Sequence, residues 1–392
     1  MTRVVQVPSP AIAFVGRHNS GKTTLLEKVI ANLTARGVDV GTIKHHGHPS
    51  FDIDYPGKDS FRHRQAGARE TIIVSRERYA CVRELTEEPE CSDLVRGMPG
   101  HDIVLVEGYR RSGLPTIEII RKANDRDAAA ADEFMAEGTI NSGAPIAIVT
   151  DRSDVRASAD ERGVLSFGLE DVEAICDYLI DNHVRQKLTV VIQAGGESRR
   201  MGRSKALVPF LGRPLIERMV DRLAPVADEL VITTNEPEKL EFLLGRTDVD
   251  IRLERDLLSE RGALRGLYTA LMKAENPLVA TVACDMVFAS ARLLVAEATK
   301  ISELHCDAVV PHNKHGFEPF HAVYRKQTCL PAVEKALEEG HASAKSFFDS
   351  IDVHPFDREE VLAAEPRGGC FINVNTPDEL RAVEASILGD ED

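Results

Sequence analysis

Ala11-Ile12-Ala13-Phe14-Val15-Gly16-Arg17-His18-Asn19-Ser20-Gly21-Lys22-Thr23-Thr24 is the stretch that decides the first half of this chain. Its core, Gly16 to Thr23, fits the pattern G-x-x-x-x-G-K-[ST] that cradles nucleotide phosphates. The apolar run before it suits a parallel strand buried on both faces. After it Leu25, Leu26, Val29, Ile30 and Leu33 recur at helical spacing until Gly37 supplies a stop. Strand, loop and helix are the context this motif requires. Backbone N–H groups of Gly16, Asn19, Ser20, Gly21 and Thr24 and the helix N-terminus then face the phosphates. Lys22 reaches the β and γ oxygens, and the Thr23 hydroxyl is placed to ligate Mg2+.

Further apolar runs at 38–43, 71–74, 103–106, 116–120 and 146–149 alternate with helical segments and predict a mostly parallel α/β sheet. Glu107 closes one of these runs, where a metal-side or water-positioning acid of a phosphate-loop protein lies. His45, His46 and His48 have zinc-ligating chemistry but match no compact zinc spacing, so the segment reads as a polar loop near the nucleotide. No Asn-Lys-x-Asp guanine motif occurs in this half, and Thr150-Asp151 after a strand is the base-contact candidate.

A second glycine loop of a different chemical kind opens the other half: Ala194-Gly195-Gly196-Glu197-Ser198-Arg199-Arg200-Met201-Gly202-Arg203-Ser204-Lys205, after the buried-strand run 188–192. The glycines let backbone approach a triphosphate, and Arg199 and Lys205 are the leading cations for developing pyrophosphate charge. Asp285 ends the apolar run 278–284 and is placed to hold Mg2+ at the carboxyl edge of a sheet. In Asn373-Val374-Asn375-Thr376-Pro377-Asp378-Glu379, the last residues read as a capping box with Pro at the first helical position. That leaves Asn375 as a second oxygen donor for the metal.

Bulk properties bound the function. The 392 residues, 43% apolar and 28% charged, suit two globular domains. The short polar connector His183 to Lys187 predicts domains at 1–184 and 188–392. A net charge of −15 argues against a general nucleic-acid binder. Seven cysteines without C-x-x-C spacing indicate neither a disulfide framework nor a four-thiolate zinc site. No apolar run reaches the roughly 18 residues that span a membrane. A cytoplasmic protein is the expectation.

Gly16 to Thr23, Ile43 to His46, Pro56 to Ser60, Gln65 to Ala68 and Leu105 to Tyr109 together resemble the MobB family of molybdopterin-guanine dinucleotide biosynthesis adaptors, over about residues 10–182. The resemblance implies a P-loop NTPase three-layer sandwich that binds GTP with at most weak hydrolysis. The second half resembles the MobA family, molybdenum cofactor guanylyltransferases with a Rossmann-like, GT-A-like nucleotidyltransferase fold, over about 188–385. That resemblance adds Asp256, with Arg255, as a base-side contact and Gly262 and Gly266 as loop contacts, and it makes 318–324 an acceptor-side strand. The chain departs from it where Met286-Val287 replaces the frequent Pro after Asp285, and at Gln193.

The implied reaction is transfer of GMP from GTP to molybdopterin with release of pyrophosphate, with contacts to a molybdoenzyme or cofactor chaperone as possible partners and none to nucleic acid or membrane. Relatives that use CTP, a cofactor-delivery module with a silent second half, and a phosphoryl-transfer first half are the alternatives.

Overall fold

Alternation along one central strand builds the first unit. In β1 (Ala11–Gly16), Ile12 and Phe14 face one apolar layer while Ala11, Ala13 and Val15 face another, so the strand is buried on both sides. The computed structural model describes residues 5–47, 54–138, 144–195, 204–258, 260 and 262–389. The chain divides into two units, Pro8–Arg185, and the residues from Gln186 onward together with those before Pro8. Val5 and Val7 pack against the apolar core of the second unit.

After β1 the first unit continues with α1 (Lys22–Ala35), β2 (Val40–Lys44), α2 (Asp59–Gln65), β3 (Glu70–Val74), β4 (Tyr79–Arg83), α3 (Cys91–Arg96), β5 (Ile103–Glu107), β6 (Thr116–Ile120), α4 (Asp127–Glu137), β7 (Ala147–Thr150), α5 (Ser153–Glu161), β8 (Leu165–Phe167) and α6 (Val172–Asn182). Six strands form one parallel sheet in the order β2-β5-β1-β6-β7-β8. Leu25, Leu26, Val29 and Leu33 of α1 and Ile175, Cys176 and Leu179 of α6 cover one face. Residues of α3, α4 and α5 cover the other, giving three layers.

The run 71–74 does not join that sheet. It pairs with β4 in a separate antiparallel hairpin, where Ile72, Ile73, Val74 and Tyr79 are exposed. Thr71 and the three apolar residues after it satisfied a strand pattern, but the nearest partner strand, one turn away, captured their backbone groups.

The second unit runs β9 (Leu188–Gln193), β10 (Pro209–Phe210), β11 (Arg213–Pro214), α7 (Leu215–Leu223), β12 (Glu229–Thr233), β13 (Ile251–Glu254), α8 (Ala263–Lys273), β14 (Leu278–Ala283), α9 (Ala291–Leu304), β15 (Ala308–Asn313), β16 (Gly316–Phe317), β17 (His321–Arg325), α10 (Lys326–Glu338), β18 (Val353–Phe356), α11 (Arg358–Ala364) and α12 (Pro377–Gly389). Its main sheet has the order β13-β12-β9-β14-β17-β15-β16, with β18 on β15. Strands β13, β12, β9 and β14 pair in parallel, β17 enters antiparallel between β14 and β15, and β15 and β18 run in the same direction as the first four. Val190 and Ile192 face the layer that holds α7 and α9, and Val191 faces α8 and α10. Strands β1 and β5 end at Gly16 and Glu107, and β9 and β14 lead to Ala194 and Asp285, so these residues stand at the carboxyl edge of each sheet.

Candidate functional site

In the first unit the chain from β1 turns through Asn19 at φ 66 and Gly21 at φ 87 into α1. Gly16 has no room for a side chain: a Cβ there would lie 2.5 Å from Ser20 Oγ and 2.9 Å from the Ile119 carbonyl oxygen. Lys22 Nζ donates to the carbonyls of Gly16 (3.0 Å) and Arg17 (2.7 Å), curling the loop around it. Burial lowers its ammonium pKa, while Glu107 and Glu118 oppose that effect. Thr23 Oγ1 donates to Glu107 Oε1 at 2.7 Å, so strand β5 brings the expected acid onto the expected hydroxyl. Lys44 Nζ lies 3.0 Å from Glu107 Oε2. Thr24 is exposed in the first turn of α1, and Asn124 Nδ2 steadies the loop by donating to the His18 carbonyl at 3.1 Å.

Three features here escaped the sequence reading. Arg110 donates through both terminal nitrogens, at 3.1 and 2.9 Å, to Glu118 in the middle of β6, whose side chain is 1% exposed. Burial pushes the Glu118 carboxyl up, and Arg110 pulls it back. The signal was present as an acid inside the apolar run Thr116 to Ile120. Second, His45 pairs with Glu88 at 2.8 Å and lies against Tyr109, ring centroids 4.4 Å apart. Third, Asp151 Oδ1 accepts the Lys122 backbone N–H at 2.5 Å, tying together the ends of β6 and β7. Among the described residues no group of three or more His, Cys, Asp or Glu is arranged to hold a metal. His48 lies outside the described residues.

In the second unit three residues far apart in sequence converge. Lys205 Nζ donates to Asp285 Oδ2 at 3.2 Å and to Asn375 Oδ1 at 3.0 Å. Asp285 follows β14, and its carbonyl accepts the Val374 N–H at 3.0 Å. An isolated bridge between Met286 and Asn373 locks the same two segments together. The capping box exists as read: Thr376 Oγ1 accepts from Glu379 N at 3.2 Å, and Glu379 Oε2 accepts from Asn375 N and Thr376 N. It fixes the backbone that carries Asn375.

Ala194 N donates to the Thr233 carbonyl at 2.8 Å, extending β9 into the loop. Gly195 is pressed against Asp256, whose Oδ2 would lie 2.5 Å from a Cβ, and its carbonyl accepts from Asn235 Nδ2 at 2.9 Å. Burial raises the Asp256 carboxyl, and the Asn235 hydrogen bond opposes that. Gly262 caps α8 and accepts the Gly266 N–H at 3.1 Å. Gly266 faces Gln193 Oε1, 3.0 Å from where its Cβ would stand, so the unusual Gln193 has its space because the helix offers glycine. Gly196, Arg199, Arg200, Met201, Gly202 and Arg203 lie outside the described residues.

Where the chain has Met286-Val287 instead of proline, side chains fasten the loop. Arg222 Nη1 donates to the Val287 carbonyl at 2.9 Å, Ser290 Oγ to Glu365 Oε2 at 2.8 Å, and Ser290 N to His321 Nε2 at 3.0 Å. With Nε2 accepting, His321 carries its proton on Nδ1, 3.3 Å from Glu297 Oε1. His321 and Glu297 are both fully buried, so this part of β17 faces the core.

Residues 11–138 match the family described as molybdopterin guanine dinucleotide synthesis protein B, and residues 190–355 the MobA-like NTP transferase domain. A molybdenum cofactor guanylyltransferase of Desulfosudis oleivorans is 36% identical over 201 residues, 51% of this chain and 96% of the relative. The molybdopterin-guanine dinucleotide biosynthesis adapter protein of Escherichia coli is 35% identical over 176 residues, 44% of this chain and 92% of that protein. Among solved structures, molybdopterin-guanine dinucleotide biosynthesis protein A from Archaeoglobus fulgidus is 24% identical, with a TM-score of 0.45, covering 51% of this chain and 99% of that one.

Proposed function

The chain belongs to the molybdenum cofactor guanylyltransferase family through its second unit and to the molybdopterin-guanine dinucleotide biosynthesis adapter family through its first, and from that premise we propose that it transfers GMP from GTP to molybdopterin. The observation that carries the reading is the meeting of Lys205, Asp285 and Asn375, drawn from three separate segments, at the carboxyl edge of a transferase-family sheet. A terminal phosphate oxygen of molybdopterin forms the new bond to the α-phosphorus of GTP. The bond from that phosphorus to the bridging oxygen breaks, and pyrophosphate leaves. A phosphate monoester is already largely ionised near neutral pH, so the acceptor needs no protein nucleophile. Cys284 is unsuited to that role in any case, buried with its thiol pushed up to about 12.

Catalysis then reduces to alignment and charge. Lys205 supplies positive charge beside the loop, with Arg199 as its partner in that role. Asp256, Gly195, Gly262 and Gly266 shape the nucleotide side, and the Asp256–Asn235 contact holds the base-side wall. Asp285 and Asn375 fit Mg2+ by their donor chemistry, since two hard oxygens converge on one cationic group. Mg2+ there would supply Lewis-acid neutralisation of the triphosphate.

In the first unit Gly16, Asn19, Ser20, Gly21, Lys22 and Thr24 bind the phosphates of GTP, and Thr23 with Glu107 forms the metal side. That unit acts as the adaptor, holding GTP with slow turnover and presenting the chain to a molybdoenzyme or cofactor chaperone. The cytoplasm is the proposed location. Choice of GTP over CTP follows from the adapter-family half, not from base contacts.

Pyrophosphate release by the whole chain with Mg2+ and molybdopterin, offered GTP, CTP, ATP or UTP in turn, tests this. GTP-only release that disappears in Asp285→Ala is expected. Release that persists unchanged in the variant overturns the metal assignment, and a CTP preference overturns the product.

A further inference from the structure

Beside Glu107, at the ends of β2 and β5, the first unit opens a cleft of about 460 Å3 that the nucleotide reading does not use. One wall is aromatic. Tyr109 stands at φ 49 directly after Gly108 at φ 91, two consecutive left-handed residues, an arrangement a tyrosine adopts only when its surroundings enforce it. The enforcement is visible: its ring lies against His45, its hydroxyl donates to the Pro89 carbonyl at 3.3 Å, and a Cβ on Gly108 would stand 3.1 Å from His45 Cβ. His45 is itself held by Glu88 at 2.8 Å.

The polar groups of the cleft are partly unspent. Glu90 and Arg111 both line it, and among the described residues neither side chain has a hydrogen bond or ion pair. A ligand that satisfies both needs an N–H edge for a carboxylate and an anionic group for a guanidinium, as well as a flat face for Tyr109 and His45. Glu88 and Glu90 together disfavour a triphosphate, whose charge they would repel, but tolerate a monophosphate. The volume suits a two-ring heterocycle with a short phosphorylated tail.

We propose that this cleft binds a pterin monophosphate, the chemical class of the acceptor, next to the metal-side acid of the nucleotide site. The adaptor unit would then hold acceptor as well as nucleotide. The inference rests on the proposed function for the identity of that acceptor.

Calorimetric titration of the whole chain with neopterin monophosphate, with the nucleotide GTP and Mg2+ present, separates the two claims. Two equivalents per chain are expected, one lost in the double variant Tyr109→Ala, Arg111→Ser. Glu90→Gln, an exposed change with no partner among the described residues to lose, should weaken one class of site at least tenfold and leave the other unmoved. One equivalent in wild type that vanishes in the double variant supports the cleft while removing acceptor binding from the transferase unit. One equivalent in both proteins overturns the cleft and leaves the transferase reading standing, and no binding in either overturns the cleft as well.

Discussion

Acid should weaken the second unit through one buried histidine. Burial drives the His321 imidazole from its ordinary 6.5 down to about 4, because the ring is enclosed between Ser290 N and Glu297, where a cation would lose its solvation. The folded state thus refuses a proton that the unfolded chain accepts. The stabilisation is complete above pH 6.5 and is lost as pH falls toward 4. With one pH unit worth about 1.4 kcal/mol, the loss is capped at roughly 3 kcal/mol and reaches about 2–3 kcal/mol at pH 4.5. Glu297 has the opposite sign: burial raises its carboxyl, so its contribution falls as pH rises above the ordinary 4.5. His321→Gln keeps Glu297, keeps an acceptor for Ser290 N–H, and removes the titration. Urea unfolding, read by a brief deuterium pulse on peptide 318–325, measures the effect. Wild type should lose about 2–3 kcal/mol more than the variant between pH 7 and 4.5. Parallel losses in the two proteins would show that His321 is not the group responsible.

Arg110→Ala strands the Glu118 carboxylate under the phosphate loop, and breaking a buried pair of this kind costs about 3–5 kcal/mol. Adding Glu118→Gln should restore more than half of that loss in denaturant unfolding at pH 8. Gly195→Ala forces a Cβ to 2.5 Å from Asp256 Oδ2. It should raise the KM for nucleotide roughly tenfold, about 1.4 kcal/mol, with little change in the melting temperature. Lys22→Ala should abolish nucleotide binding at the first unit while the second unit still releases pyrophosphate at saturating substrate, which steady-state kinetics would check.

Local signals made much of this legible. The strand, glycine loop and helix around Gly16 to Thr23 are contiguous, so spacing alone placed Lys22 and Thr23. Glu107 and Asp285 were findable because an acid closing an apolar run has a sheet edge to stand on. The capping box around Thr376 to Glu379 was readable for the same reason, its partners being three residues apart. What lay beyond reading depends on tertiary register. His321 meets Glu297 because β17 runs antiparallel beside β14 with α9 packed across it, and no periodicity encodes that meeting. The strand pattern at 71–74 was correct about conformation and wrong about partner, since apolar alternation does not say which neighbour a strand pairs with. Met286-Val287 after Asp285 was plain to see, but the hydrogen bonds of Arg222, Ser290 and His321 that hold the following turn were not.

Mass balance in one reaction distinguishes guanylyl transfer from hydrolysis. The whole chain is incubated with Mg2+, molybdopterin and GTP, and the pterin product and pyrophosphate are quantified together by mass spectrometry and a coupled assay. One GMP incorporated per pyrophosphate released is the predicted result. GDP and phosphate without incorporation, or incorporation only from CTP, would contradict it.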